Sequence, residues 1–513
     1  MLNTFLYVVG FVWRVVLAVL LIASYHAGFH ATVFFAAVAY LILALTGWIE
    51  IWPGFAPWRR NGPAPEHLRG AKMATAREVR RRVRQAGHAW TIELGGVPLP
   101  AAFEPQHLLI AGAPGSGKSV AITTVLDALR ERGDRVVIAD SGGIYTARYF
   151  HQGDVILNPL DQRAVVWSPL TEMASLWDAE RLARSIVPGA TGELAEWRDH
   201  AQVLLRVILE HVWEQDGTND DILRLACNAS MDELRETLAG TTAEPLCAAG
   251  NEKMFGSIRG TLTTQVGPFR YLHADAGRKA FSLRRWAESG SGWALWNYRD
   301  DQLNLIRPLL AAMLDTIAVG ILSLPPSDER RIWLALDELA SLGRIGSLEA
   351  FLTKARKAGG CAIVGLQSLA QLKTLYGVFE TQTLLTCFAS WLMLRTPDPE
   401  TADYLSKVLG DQEIRRVVGS GGVSDTGTHD GWQEHVAPNR LVLASELQNL
   451  PTLCGYWALP GDIPNAPIKL ALPERGMPIA HSFVPRTLDQ PARVRKTPPP
   501  PAEPSSPGEG FAL

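Results

Sequence analysis

Apolar and polar positions divide this chain into three textures. From Leu2 to Trp52 the run is mostly apolar and almost uncharged, with only Arg14 and Glu50 charged. A membrane-spanning helix needs about 20 such residues. Two fit, roughly Phe5 to Ala23 and Ala31 to Ile49, joined by a short turn around His26 to His30. Further on, short apolar runs alternate with turns. Leu108–Ile110, Arg135–Ala139, Val155–Leu157, Trp293–Tyr298, Arg331–Leu336, Cys361–Leu366, Leu384–Leu394, Cys454–Leu459 and Ile468–Leu472 read as strands. Thr91 to Leu94 alternate in polarity before Gly95-Gly96, which predicts a short hairpin. The third texture runs from about Thr171 to Glu288. There Trp197, Ala201, Leu204, Leu205 and Ile208 share one helical face, as do Leu223, Ala226 and Leu234, and strand-like runs are nearly absent.

This pattern predicts an α/β domain interrupted by an inserted all-α domain. The expected boundaries are a transmembrane hairpin over 1–52, a basic juxtamembrane segment over 53–90, the α/β domain over 91–170 and 291–480, the all-α domain over 171–290, and a proline-rich disordered tail over 481–513. A helix from about Leu303 to Leu322 is apolar enough to be buried on several sides, and Arg307, Pro308 and Asp315 distinguish it from a third span. Another runs from about Ile345 to Lys357 and stops at Gly359-Gly360, a normal C-terminal cap. Gly419 to Gly431 reads as an exposed flexible loop. From Thr497 the chain is too rich in proline to build a core.

The chemistry concentrates between Leu108 and Leu129. Gly112 to Ser119 match G-x-x-x-x-G-K-S, placed between an apolar strand and a helix whose Ile122, Val125, Leu126 and Leu129 fall at helical spacing. Gly112, Gly115 and Gly117 let the backbone bend so that its amides, with those of Ala113, Pro114's neighbours and Ser116, form an anion nest. The helix start adds free amides and its positive dipole end. Lys118 brings a charge to the β/γ-phosphates, and Ser119 a hydroxyl to Mg²⁺. The strand Arg331–Leu336 ends at Asp337-Glu338. In a nucleoside triphosphatase Asp337 holds Mg²⁺ through water and Glu338 orients or deprotonates the attacking water. Gln367, at the tip of the next strand, is the candidate sensor of the γ-phosphate. The expected cofactors are ATP and Mg²⁺.

Charge changes the picture locally only. With 49 basic and 52 acidic residues, the overall balance gives no case for nucleic-acid binding. Five scattered cysteines, without paired spacing, argue against a zinc site or a disulfide framework. Arg59, Arg60, Arg69, Lys72, Arg77, Arg80, Arg81, Arg82 and Arg84 follow the second span, which by the positive-inside rule makes both termini cytoplasmic. This stretch sets topology and meets anionic lipid, or contacts DNA. Arg14 either faces a partner membrane protein or snorkels to the interface.

The glycine loop, Leu157-Asn158-Pro159-Leu160-Asp161, the helical insert, Leu336-Asp337-Glu338-Leu339 and Gly365-Leu366-Gln367-Ser368 together resemble the coupling proteins of bacterial conjugation and type IV secretion, of the TraD/TrwB type, over roughly Gly70 to Leu472. The resemblance implies a RecA-like P-loop NTPase working as a homo-hexamer in the bacterial inner membrane. It implies non-specific single- or double-stranded DNA, a relaxase and the membrane components of the secretion apparatus as partners. It also implies that Arg356, on the helix after the acid pair, reaches the nucleotide of a neighbouring subunit. The alternative is a solvated or DNA-facing basic face formed with Lys354 and Lys357. At Asp140-Ser141-Gly142-Gly143 the family more often has proline after the aspartate, so no role carries over to Asp140. Two other functions remain open: a receptor ATPase that recruits protein cargo without pumping DNA, and a chromosome-segregation translocase.

Overall fold

The computed structural model describes residues 66–190, 192, 194–272, 280–424, 427–473 and 478–487. The two expected spans with Arg14, the residues up to 65 and the tail beyond 487 lie outside the described residues. The described strands, in chain order, are β1 (Glu66–Gly70), β2 (Ile92–Leu94), β3 (Val97–Leu99), β4 (Leu108–Ala111), β5 (Arg135–Ser141), β6 (Val155–Ile156), β7 (Trp293–Tyr298), β8 (Ile332–Leu336), β9 (Gly360–Leu366), β10 (Ser390–Leu394), β11 (Asp411–Ser424), β12 (Gly427–Arg440), β13 (Cys454–Ala458) and β14 (Ala466–Lys469).

Contacts divide the chain into two units, Lys72–Leu409 with Val442–Leu513, and Met1–Ala71 with Gly410–Leu441. The first is built on a nine-stranded sheet of order β14-β13-β10-β4-β9-β8-β5-β7-β6. From β10 to β6 every pairing is parallel, and β13 and β14 close one edge antiparallel. Its central strands β4, β8 and β9 are buried at every position, as parallel strands covered on both faces must be. The order matters for chemistry: β9 lies between β4 and β8, so the tip of β9 separates the glycine loop from the acid pair.

The helical insert leaves the sheet after β6 and returns at β7. Its two ends are tied together by Glu172, which is fully buried. That carboxylate accepts from Trp167 Nε1 (2.9 Å), Ser282 Oγ (3.0 Å), Leu283 N (2.7 Å) and Arg284 N (3.0 Å), and so also caps the helix Leu283–Ser289. Trp177–Ile186 and Leu283–Ser289 pack on Asp300–Leu322. This last helix is long and apolar enough to cross a membrane, but most of its apolar window is buried in the protein. Asp315, within it, accepts from Ser185 Oγ, so the helix carries its one buried acid already partnered.

Four expectations change. The segment 53–90 is not merely a basic linker. Helix Ala76–Gln85 begins at a capping box between Thr75 and Glu78, and Val79 and Val83, one turn apart, join the core while Arg77, Arg81, Arg82 and Arg84 face outward and Arg80 pairs with Glu93. The run Leu384–Leu394 is a helix, Val378–Thr386, followed by the short strand β10; Thr381, Leu384 and Leu385 are buried at helical spacing. The Gly419–Gly431 stretch is no loop. β11 and β12 pair in register from Asp411↔Arg440 to Ser424↔Gly427, and with β1 they form the antiparallel sheet of the second unit, so residues 410–441 leave the α/β domain. Ladder bonds come from the backbone, which a glycine-rich composition does not remove. Finally, residues 481–487 are ordered as a strap. Asp161 accepts from Val484 N (3.1 Å), Val484 O from Gln162 N (2.8 Å), Ser482 O from Asn297 Nδ2 (2.7 Å), and Leu160 O from Arg486 N (2.9 Å). The Asn-Pro-Leu-Asp-Gln-Arg stretch is thus the dock for the chain's return.

Replacing Glu172 by alanine strands four donors, three of them buried, and is expected to cost about 3 kcal/mol or more. Thermal unfolding followed by circular dichroism would register this as a midpoint lowered by several degrees, with Glu172→Gln less severe.

Candidate nucleotide-binding site

The glycine loop starts strung between two strand tips: Gly112 N donates to Leu366 O (2.9 Å) and Ala113 N to Arg395 O (2.8 Å). Gly115 and Gly117 have φ of +72° and +118°, a region where a side chain is strained. At Gly115 nothing stands within 4 Å of where a Cβ would be, so the loop's crest opens on free space. The helix Lys118–Arg132 begins directly after Gly117. A cavity of about 790 Å³ lies against this loop, lined also by Asp337, Glu338, Gln367, Ser141 and Ser341.

Inside it the charges are paired. Lys118 is only 8% exposed, and its Nζ donates to Glu338 Oε2 at 3.0 Å. The other oxygen, Oε1, is buried and has no partner among the described residues. Ser119 Oγ lies 3.5 Å from Asp337 Oδ2, and Tyr145 OH donates to the same oxygen at 3.1 Å. Burial holds the Asp337 carboxyl above its usual range, against the opposing pull of the Tyr145 hydroxyl, the Lys118 charge and Ser119. Burial raises Glu338 likewise, against Lys118 and a hydrogen bond from Gln367. Both carboxyls are therefore primed to take up positive charge, from a cation or from a proton.

The structure brings together Gly112 to Ser119, Asp337, Glu338 and Gln367. It does not bring Arg356 to them. That residue is exposed in the turn Ala355–Ala358, before β9, whereas Gln367 follows β9. About 23 Å of strand separates the two. Neither Arg356 nor its neighbours Lys354 and Lys357 pair with an acid among the described residues.

Three contributors escaped the sequence reading. Asp140, at the end of β5, is fully buried and accepts from Tyr145 N (3.1 Å), Thr146 N (2.6 Å) and Thr146 Oγ1 (2.7 Å). Burial pushes its carboxyl up to about 6, opposed by these donors and assisted by the Asp337 charge. Tyr145 is the second. The third is Gly365: a Cβ there would lie 1.7 Å from the Asp337 carbonyl oxygen. The signal for Gly365 was its place one residue from the tip of the strand beside the acid pair. For Tyr145 it was a double glycine closing β5, the neighbour of β8.

Residues 91–471 match the family profile described as type IV secretion-system coupling protein DNA-binding domain. Coupling protein TraD of Escherichia coli (strain K12) is 27% identical over 473 residues, which are 90% of this chain and 65% of TraD. Protein VirD4 of Agrobacterium fabrum is 24% identical over 345 residues, 61% of this chain and 50% of VirD4. The chain thus spans less than two thirds of TraD and half of VirD4. Among solved structures, the conjugative coupling protein TrwBdeltaN70 in unbound form is 35% identical, with a TM-score of 0.75, covering 83% of this chain and 98% of that one. TrwB in complex with the non-hydrolysable ATP analogue ADPNP (34% identical) and with ADP and Mg²⁺ (35%) gives the same TM-score and covers 83% of this chain and 100% of each.

Gly365→Ala is expected to force β9 away from β8 and to part Gln367 from Glu338. The cost of such overpacking is about 1–3 kcal/mol or more. Thermal melting and binding of a fluorescent ATP analogue would both fall; a variant with unchanged binding would mean that the close approach is dispensable.

Proposed function

The chain belongs to the type IV secretion-system coupling proteins, and on that premise we propose that it is an ATP-hydrolysing DNA motor of bacterial conjugation, delivering a relaxase-bound DNA substrate to a type IV secretion channel. The observation that carries this is the meeting of Lys118 with Glu338, and of Ser119 with Asp337, in one cavity under a glycine crest.

The residues present fit ATP and Mg²⁺. The unpartnered Glu338 Oε1 and the open space at Gly115 leave room and acceptor capacity for a group not supplied by the protein. The backbone amides of Gly115 to Ser119 with Lys118 would hold the phosphates, and Ser119 with Asp337 the metal. Bound ATP·Mg²⁺ supplies the phosphoanhydride bond whose hydrolysis drives movement. Lys118 neutralises phosphate charge and in doing so releases Glu338 from its ion pair. Glu338, with its carboxyl raised by burial, then orients water and accepts its proton. Gln367, which lines the same cavity as Glu338, reports the state of the terminal phosphate along β9. Arg356, too far from its own cavity, serves the cavity of a neighbouring copy in a homo-hexamer. The segment 1–52 anchors the ring in the inner membrane by two spans, with both termini and the bulk of the chain cytoplasmic.

The reading is tested by ATP hydrolysis of the detergent-solubilised chain with and without single-stranded DNA. DNA is expected to stimulate turnover, and its binding to weaken steeply with salt. Turnover indifferent to DNA would favour a receptor that recruits protein cargo. Lys118→Ala is expected to reduce hydrolysis to background while the chain still partitions to the membrane. Arg356→Ala is expected to lower turnover about a thousandfold and leave nucleotide affinity within twofold. Recovery of activity on mixing the Lys118 and Arg356 variants would place the arginine in trans.

A further inference from the structure

The tip of β5 carries a device that the glycine loop and acid pair do not account for. Beyond Gly142 and Gly143, with φ of +76° and +71°, the chain turns into the short helix Ile144–Tyr149. The Asp140 carboxylate grips the first turn of that helix through three donors, two of them backbone amides. From the other side, the strap residues Ile479 and Ala480 both donate to Ala147 O (2.9 and 3.2 Å). A Cβ on Gly143 would lie 2.6 Å from Ser482 O, so the turn and strap are in close contact. The helix is fixed at both ends, and with it Tyr145, whose ring is 1% exposed.

The Tyr145 hydroxyl ends this chain of contacts on Asp337 Oδ2, at 3.1 Å, the oxygen that Ser119 Oγ also approaches. Burial first, then the charges of Asp337 and Asp140, keep the phenol far above its ordinary range, so it remains a donor.

We propose that Tyr145 is a positioning residue for the metal-side carboxylate: by donating to Oδ2, the oxygen that also lies nearest the Ser119 hydroxyl, it fixes the rotation of Asp337 and so the face this carboxylate presents to the Mg²⁺ that accompanies the nucleotide. The proposal rests on the assignment of Asp337 and Ser119 to the metal. It predicts a defect in metal use and not in nucleotide affinity as such.

Tyr145→Phe in the full chain keeps the buried ring and removes only the hydroxyl. Binding of a fluorescent ATP analogue is measured across a Mg²⁺ titration and in excess EDTA, beside Asp337→Asn and the double variant. The half-saturating Mg²⁺ concentration is expected to rise roughly fivefold to tenfold in Tyr145→Phe, about what one hydrogen bond to a charged group confers. Affinity in EDTA and the melting temperature are expected to stay unchanged. In the Asp337→Asn background the second substitution is expected to add nothing, because the two act through one contact. An unaltered Mg²⁺ titration in Tyr145→Phe, with Asp337→Asn impaired, overturns the role of Tyr145 alone. Equal losses with and without Mg²⁺, or a lowered melting temperature, would make Tyr145 a packing residue and overturn it too. A titration unaffected by Asp337→Asn overturns the metal assignment and takes this inference with it.

Discussion

An ammonium group buried to the extent of Lys118 must have an opposite charge beside it, and Glu338 provides one. The pair is 220 residues apart in the chain, so it exists only because the sheet places β4 and β8 one strand apart. Taking both ions out of water is costly, and their attraction repays that only when geometry is good. On the proposed reading, a phosphate would compete directly for the lysine. The apparatus is therefore held together, without a ligand, by the same charge that a ligand would use.

The constraint propagates outward. β9 must pass between the two strands with its tip close to the backbone of Asp337, which only a glycine at 365 allows. On the far side of β8, the tip of β5 must reach Asp337 without crowding it, and it does so through a double-glycine turn and a tyrosine. The Asn-Pro-Leu-Asp-Gln-Arg stretch, which looked diagnostic without having a task, serves the same region. Asp161, paired with Arg163 and bonded to Asn297, fastens the strap that backs the β5 helix.

What the sequence made legible was chemistry with a fixed local spacing. The glycine loop, the acid pair and Gln367 each sit at a strand end, where apolar runs stop and polar residues begin. Contacts closed by distant segments were hidden. Tyr145 lies in a short apolar helix and looks like core; its hydroxyl matters only once β5 is known to flank β8. Asp140 lacked the expected proline after it, and its work as a buried cap depends on no motif. Arginine density masked the helix Ala76–Gln85, although Val79 and Val83 were spaced for it. The pairing of β11 with β12 rests on a backbone ladder that runs through glycine-rich sequence, which no apolar alternation announces.

The tie at Glu172 has a topological meaning of its own. Trp167 and Phe281 form an isolated bridge, and Phe281 N donates to Val166 O at 2.7 Å, so the insert departs and comes home at neighbouring points. The sheet sees its whole excursion as one closed bight. Closing a longer bight costs little more than closing a shorter one, since the entropy grows only as the logarithm of its length. A different helical module could be spliced in at this clasp, provided that it covers the apolar flank of Asp300–Leu322, and the sheet beneath would be geometrically indifferent to the exchange. A lineage could thereby refit the insert while leaving the nucleotide cavity untouched.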